Sequence, residues 1–503
     1  MSQPNLLFLL ADQFRHDCLG VRGLRPVRTP NLDALAARGL LYENAFTPLP
    51  VCAPARQALL CGRHPDSFGA WWNYDMLQAG CLMPGETLPE KLSARGYEGA
   101  YLGKWHISAT HGPEAFGFGY AQDFSGHKRL IREKYPNLEH PGGWLGCDSP
   151  IALQDSDTHW LAARGVETLE RFANGDKPWH IWLDFGVPHL PCRPSAPFSA
   201  LYDAEDMRPW PGFGDPFINK PYTHRQQMLN WRLENHSWED FAPGVARYLA
   251  MISQLDDAIG RVIDALRDSG QFHNTIIVFT SDHGDMCSSH QMLDKHNSLY
   301  DDIVRVPLII SGPGVRGKDA FCSNADDAQG AINDLQPARI DALVSSCIDV
   351  PVTLAATMGL SALPGAHGRM LPGIGPMTDR VSSPNTERQT EPGSPPHIAA
   401  VNRSPAQPRR YVTSSTNGQQ FGLVTSRMLR DTRFKYIWNA TDIDELYDLE
   451  ADPGEHVNLA HSAAHAALLA VMRRELHARL KAHDDPFIKA GWLDGQLLEG
   501  RKA

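Results

Sequence analysis

The chain opens on an unbroken apolar run, Leu6-Leu7-Phe8-Leu9-Leu10-Ala11, which gives way at once to the polar pair Asp12-Gln13. A short apolar run without polar alternation predicts a strand buried on both faces, and it puts Asp12 at that strand's carboxyl end. A helix follows, with Thr29 as N-cap, Pro30 at the first helical position, Leu32, Leu35 and Ala36 on one face, and Gly39 as the stop. Strand and helix signals then alternate. A helix ends at Arg95-Gly96, and strands are predicted over Gly99 to Leu102, Ile181 to Phe185, Thr275 to Phe279 and Val306 to Ile310. The clearest helix of the chain carries Val245, Tyr248, Leu249, Ile252, Leu255, Ile259, Val262, Ile263 and Leu266 at helical spacing, with Gly270 after it. This alternation predicts an α/β fold with a large, mostly parallel central sheet flanked by helices.

From Gly373 to Pro408 the sequence turns rich in Pro, Ser, Thr and Gly and loses apolar periodicity. The expected organisation is a large domain over 1–375, a Pro/Ser-rich linker or excursion over 376–408, and a C-terminal α+β subdomain over 409–503. The last part is predicted to hold a small antiparallel sheet, with strands at Gly422 to Ser426 and Phe434 to Trp438. A helix is predicted over Ala463 to Leu480, carrying Leu468, Leu469, Met472, Leu476 and Leu480.

Composition narrows the class. With 503 residues, 42% hydrophobic and 21% charged, the chain can bury a sizeable core, which excludes whole-chain disorder, collagen-like repeats and coiled coil. The net charge of −11 speaks against general binding to a phosphate backbone, so nucleic acid is not an expected partner. No apolar run near the start is long enough to cross a bilayer, and the N-terminus has neither a basic stretch nor a small-residue cleavage site, so the expected compartment is the cytoplasm with no membrane partner. Nine cysteines, scattered and without a CxxC pair, read for the most part as reduced core thiols.

Ligands of open α/β sheets collect at the carboxyl ends of the strands, so the residues just after each apolar run are the candidates for chemistry. These are Asp12-Gln13, Lys104-Trp105-His106, Pro188-His189 and Ser281-Asp282-His283-Gly284-Asp285. Two carboxylates and an imidazole, from Asp12, Asp282 and His283, suit a hard or borderline divalent cation, with the Gln13 amide oxygen as a weaker fourth ligand. The competing reading is that such acids merely cap the next helix.

The segment Val51-Cys52-Ala53-Pro54-Ala55-Arg56 resembles the Cys-x-Pro-x-Arg signature of the formylglycine-dependent sulfatases of the alkaline phosphatase superfamily. Read without that resemblance, Cys52 is a buried thiol in a turn set by Pro54, with Arg56 exposed. Other landmarks of the family recur in order: Pro4-Asn5-Leu6, Thr29-Pro30-Asn31-Leu32-Asp33, Gly62-Arg63, Gly103-Lys104-Trp105-His106, Pro188-His189, Ser281-Asp282-His283-Gly284, Lys295, Leu299-Tyr300-Asp301-Asp302 and Arg305-Val306-Pro307. Phe434-Lys435-Tyr436, Glu445-Leu446-Tyr447-Asp448-Leu449 and Asp452-Pro453 extend the resemblance into the tail.

The resemblance implies hydrolysis of a sulfate ester, of a sulfated carbohydrate by default, by a formylglycine made from Cys52 by a formylglycine-generating enzyme. It implies one divalent cation held by Asp12, Gln13, Asp282, His283 and the modified Cys52, calcium first, with manganese or magnesium as alternatives. Gln13 and His283 depart from the commonest pattern, which has Asp and Asn there. Arg56 is implied to orient the aldehyde hydrate, Lys104 and Lys295 to hold the sulfate oxygens, and His189 to protonate the leaving alcohol. His106 is implied to deprotonate the remaining hydroxyl of the covalent intermediate, which expels sulfate and regenerates the aldehyde. A plain serine or cysteine lacks that second hydroxyl.

Trp71, Trp72 and Tyr74 either line a sugar subsite or belong to the core, as aromatic clusters more often do, and His290 and His296 beside Lys295 either touch substrate or only hydrogen-bond its loop. Two other readings stand beside the sulfatase. A phosphonate or phosphate monoester hydrolase of the same superfamily shares the Asp, Gln, Asp, His shell, although Lys104-Trp105-His106 argues against it. A binding protein with unconverted Cys52 is the other. Specificity is expected in the loops over 109–154 and 191–238.

Overall fold

The structure, a computed structural model, describes residues 3–73, 81–85, 87–295, 298–315, 337–375, 408–418 and 424–500. Eight strands form the large sheet: β1 (Asn5–Asp12), β2 (Leu40–Phe46), β3 (Glu98–Gly103), β4 (Tyr120–Gln122), β5 (Trp179–Pro188), β6 (Thr275–Ser281), β7 (Leu308–Ser311) and β8 (Ala338–Ser345). Their order is β4-β3-β5-β1-β6-β7-β2-β8, and only β7 runs antiparallel to its neighbours. The mostly parallel sheet read from the sequence is therefore present. β2 was not among the predicted strands, since Glu43 and Asn44 interrupt its apolar pattern.

The apolar run of β1 divides between two layers. Leu7, Leu9 and Ala11 pack on one side with the helix Trp238–Asp268, while Leu6, Phe8 and Leu10 pack on the other with the helices Cys52–Cys61 and Ser346–Thr357. This is the arrangement that a strand buried on both faces requires. The long helix starts earlier than its apolar stripe, because Ser237 and Asp240 form a reciprocal capping box. Thr29 sits at the N-cap position but does not cap; its hydroxyl bonds Asp33 Oδ1 at 2.8 Å. Gly39 follows that helix where a Cβ would lie 2.4 Å from the Ile310 carbonyl oxygen, so the close approach of β7 requires glycine.

The second sheet is antiparallel, in the order β12-β11-β10-β9, from β9 (Val412–Gly418), β10 (Val424–Arg430), β11 (Phe434–Asn439) and β12 (Glu445–Asp448). β10 continues past the predicted end at Ser426 because Met428 and Leu429 are buried on opposite faces. One face, with Leu429, Tyr436, Trp438 and Leu446, packs on the helix Ala466–Ala482 through Leu469, Met472, Leu476 and Leu480. The other face, with Met428, Ile437 and Tyr447, packs on Leu299, Tyr300, Ile303 and Val304 beside the large sheet. Buried ion pairs reinforce the junction: Arg427 with Asp66 at 3.2 Å and Lys435 with Asp301 at 2.7 Å. Of the expected linker over 376–408, all but residue 408 lies outside the described residues. Among the described residues no helix is long and apolar enough to cross a membrane.

Candidate active site

Strand order explains why distant sequence segments meet. The neighbours β3, β5, β1 and β6 run in the same direction, so their carboxyl ends form one edge. Lys104 follows β3, His189 follows β5, Asp12 ends β1 and Asp282 follows β6. In register, Ala11 faces Ser281 and Asp12 faces Pro188, which places both carboxylates and the His189 loop side by side.

Cys52 begins the fully buried helix Cys52–Cys61, and Arg56 lies one turn on, so both side chains share a face. Asn73 Oδ1 accepts the Ala53 backbone N–H at 3.1 Å and fixes the start of this helix. Cys52 Sγ lies 3.3 Å from His283 Nε2 and 3.7 Å from both Asp12 Oδ1 and Lys104 Nζ. His106 and His189 also hydrogen-bond the thiol. Burial alone would raise the Cys52 thiol, but Lys104, Lys295, His283 and the His106 hydrogen bond bring it well below its ordinary value.

Arg56 is only 1% exposed, which overturns the reading of an exposed side chain. Its guanidinium donates to Asp282 Oδ2 at 2.9 Å, Asp184 Oδ2 at 3.1 Å, Asp12 Oδ2 at 3.2 Å and the Lys104 carbonyl at 2.9 Å. A planar fork with five donors can serve three carboxylates at once. Burial and Cys52 push the Asp12 carboxyl up, yet Lys104, His189 and Arg56 outweigh them and hold it at about 2. Lys104 Nζ also donates directly to Asp12 Oδ2. On the opposite side, Lys295 Nζ meets His189 Nε2 at 2.8 Å, Gln13 Oε1 at 3.0 Å and Asp294 Oδ1 at 3.0 Å.

Four donor atoms, one each from Asp12, Cys52, Asp282 and His283, lie within 4.8 Å of one another and are all buried. That spread suits a central ion with ligands at ~2.4 Å. His283 Nδ1 bonds the Gly284 carbonyl at 2.9 Å, which leaves Nε2 facing the cluster, the orientation that a metal-binding imidazole takes. These residues fit a divalent cation.

Several contributors were not evident from sequence. Asp184 lies inside β5, bonds Tyr101 OH as well as Arg56, and is pushed up to about 7 chiefly by burial. Asp294 pairs with Lys295, while Asp285, already among the candidates after β6, accepts from Gln13 Nε2. An acid within an otherwise apolar strand is the signal that points to Asp184. Trp72 is core, packed with Leu49 and Val51, and Trp71 stands half-buried against Phe487. His290 is buried, stacked on Tyr300 and bonded to Asp215 at 2.7 Å, so it is a packing residue. Tyr74 and His296 lie outside the described residues.

The sulfatase family model matches residues 4–360. The arylsulfatase of Clostridium perfringens is 26% identical, over 99% of this chain and 98% of its own. The Delta 4,5-hexuronate-2-O-sulfatase of Bacteroides thetaiotaomicron is 26% identical, over 97% of this chain and 90% of its own. Among solved structures, the phosphonate monoester hydrolase of Silicibacter pomeroyi superposes with a TM-score of 0.75 over 97% of both chains at 21% identity, which shows a shared fold. The match along most of the chain, together with cysteine, arginine, lysines and imidazoles gathered at one strand edge, assigns this protein to the sulfatase family, as a sulfuric ester hydrolase.

Proposed function

We propose that the protein hydrolyses the sulfate ester of a sulfated carbohydrate, using a formylglycine formed from Cys52 by a formylglycine-generating enzyme. The observation that carries this reading is the gathering of Lys104, Lys295, His106, His189 and His283 around the residue-52 side chain. The hexuronate-2-O-sulfatase relative supports the carbohydrate class.

In this reading Asp12, Gln13, Asp282 and His283 hold one divalent cation, calcium first, with manganese or magnesium as alternatives. When bound, the cation lowers the pKa of a hydroxyl at position 52 and neutralises charge on a sulfate oxygen. Arg56 keeps Asp12 and Asp282 turned towards that hydroxyl. The ammonium groups of Lys104 and Lys295 hold the non-bridging oxygens, where charge shifts as the ester S–O bond breaks. His189 gives a proton to the departing alcohol oxygen from Nε2, which accepts from Lys295 in the resting site and takes up that proton once Lys295 turns to the sulfate; its Nδ1–H, bonded to the Leu190 carbonyl at 2.8 Å, fixes the ring. His106 takes a proton from the residue-52 side chain in the second step.

Activity of matured wild type on a panel of sulfated mono- and disaccharides beside an aryl sulfate, with Cys52→Ala as control, tests this reading. Turnover of a saccharide sulfate by wild type alone is expected; equal turnover by the variant would refute it. The Asp, Gln, Asp, His set also motivates a phosphonate monoester hydrolase as second reading. An aryl phosphonate cleaved consistently faster than the aryl sulfate would favour that reading.

A further inference from the structure

Gln13 occupies a left-handed backbone conformation, with φ 71°, immediately after β1. A non-glycine residue holds this geometry only where its surroundings impose it. Here the Tyr248 hydroxyl donates to the Gln13 carbonyl at 2.8 Å, and the Gln13 N–H donates to Asp282 Oδ1 at 3.2 Å. The root of the side chain is thus fixed.

The tip is fixed by two groups of opposite character. Asp285 Oδ2 accepts from Nε2, and Lys295 Nζ donates to Oε1 at 3.0 Å. An ionised carboxylate only accepts and an ammonium only donates, so the pair determines which way round the amide sits. Asp285 has no freedom to do otherwise, because its second oxygen, Oδ1, accepts the Cys287 backbone N–H at 2.5 Å.

We propose that Asp285 is a positioning residue that holds the Gln13 amide with its oxygen turned towards Lys295 and the cation, and its nitrogen turned away. The inference rests on the metal centre proposed above. An asparagine at position 285 has one oxygen, which the Cys287 N–H claims, so its NH2 group faces Gln13. Two donors then confront one another until the Gln13 amide turns over, which withdraws its oxygen from the cation side and sets its NH2 against the Lys295 ammonium. Glutamate at position 13 removes the conflict, since one of its carboxylate oxygens accepts from the asparagine NH2 while the other faces Lys295. Making both changes together, Gln13→Glu with Asp285→Asn, also keeps the charge of the pair.

The test is isothermal titration of calcium chloride into full-length protein stripped with chelator, for wild type, Asp285→Asn and the double variant that combines Gln13→Glu with Asp285→Asn. The expected result is a calcium affinity about tenfold to a hundredfold weaker in Asp285→Asn, the range for loss of a group that orients a metal ligand, and largely restored in the double variant. Unchanged affinity in Asp285→Asn overturns the inference. So does a loss that the double variant, folded by circular dichroism, fails to recover. If Asp285→Asn does not fold, a folded double variant that binds calcium supports the inference and one that does not overturns it. Absence of binding to wild type would instead overturn the metal centre itself.

Discussion

Replacing Arg56 with lysine keeps one positive charge but removes the fork. In the native site the guanidinium makes bonds of 2.9, 3.1 and 3.2 Å to Asp282, Asp184 and Asp12, which come from three neighbouring strands or the residue just after one. A lysine ammonium is a compact charge on a flexible stem and can meet one of these carboxylates well. At least two charge-assisted hydrogen bonds are then lost, at ~1.5–3 kcal/mol each, or ~3–6 kcal/mol in all. Asp12 retains Lys104, Asp184 retains Tyr101, and Asp282 retains the Gln13 and His283 N–H groups, which places the expected loss towards the lower figure. Thermal unfolding of Arg56→Lys beside wild type, with kcat/KM on an aryl sulfate, reads both consequences. For a loss towards ~3 kcal/mol in a chain of 503 residues the melting temperature should fall by roughly 3 °C. kcat/KM should fall at least ~100-fold, because the carboxylates that orient the site lose their common anchor. A melting temperature within about 1 °C of wild type and an unaltered kcat/KM would refute the reasoning.

Lys104→Ala and Lys295→Ala should each lower kcat by ~10²–10³, the usual loss for one donor to transition-state charge, and steady-state kinetics at saturating aryl sulfate checks this. An effect confined to KM would contradict it. A second expectation concerns His64, His367 and His483, whose rings gather at the junction with the C-terminal helix, His64 stacked on His483 at 3.8 Å. Burial, assisted by Arg409 and the other rings, depresses His64 well below its ordinary value, and burial with His367, Arg409, Arg479 and Arg369 lowers His483 to about 3. Burial and Arg63 lower His367 against the opposing charge of Asp484. The folded state keeps these rings neutral while the unfolded chain takes up protons below about pH 6.5, so stability should fall as pH drops from there towards about 3, where His483 itself titrates. His483→Phe retains the stack and should flatten that fall; a melting temperature with the same pH dependence as wild type would count against the cluster.

Much of the site was legible because parallel strands end on one edge. The polar residues after the runs Leu6 to Ala11, Gly99 to Leu102, Ile181 to Phe185 and Thr275 to Phe279 were the natural candidates, and Asp12, Lys104, His189 and Asp282 do stand together. Strand order was not legible, since β3-β5-β1-β6 is set by pairing between segments far apart in the chain. β2 escaped because Glu43 and Asn44 give it no simple period, and their carbonyl and amide oxygens are taken by Arg305. Asp184 and Tyr101 were missed for a related reason: an acid inside an apolar strand marks a position, but the pattern does not say which distant side chain pairs with it, and a buried tyrosine reads as core. Their partner Arg56 was visible only through its spacing from Cys52, and its burial depended on three carboxylates drawn from elsewhere. Of the two readings open for Trp72, the core one holds, because large aromatic side chains gain most from burial.

The central claim is that residue 52 reacts as a formylglycine within this ring of cations and imidazoles. Its most direct test is to prepare the protein with graded amounts of formylglycine-generating enzyme, quantify conversion at position 52 by peptide mass spectrometry, and measure aryl sulfate turnover in each preparation. The account predicts turnover proportional to the converted fraction, extrapolating to zero for the unmodified cysteine. Full turnover in a preparation whose residue 52 is entirely cysteine would contradict it.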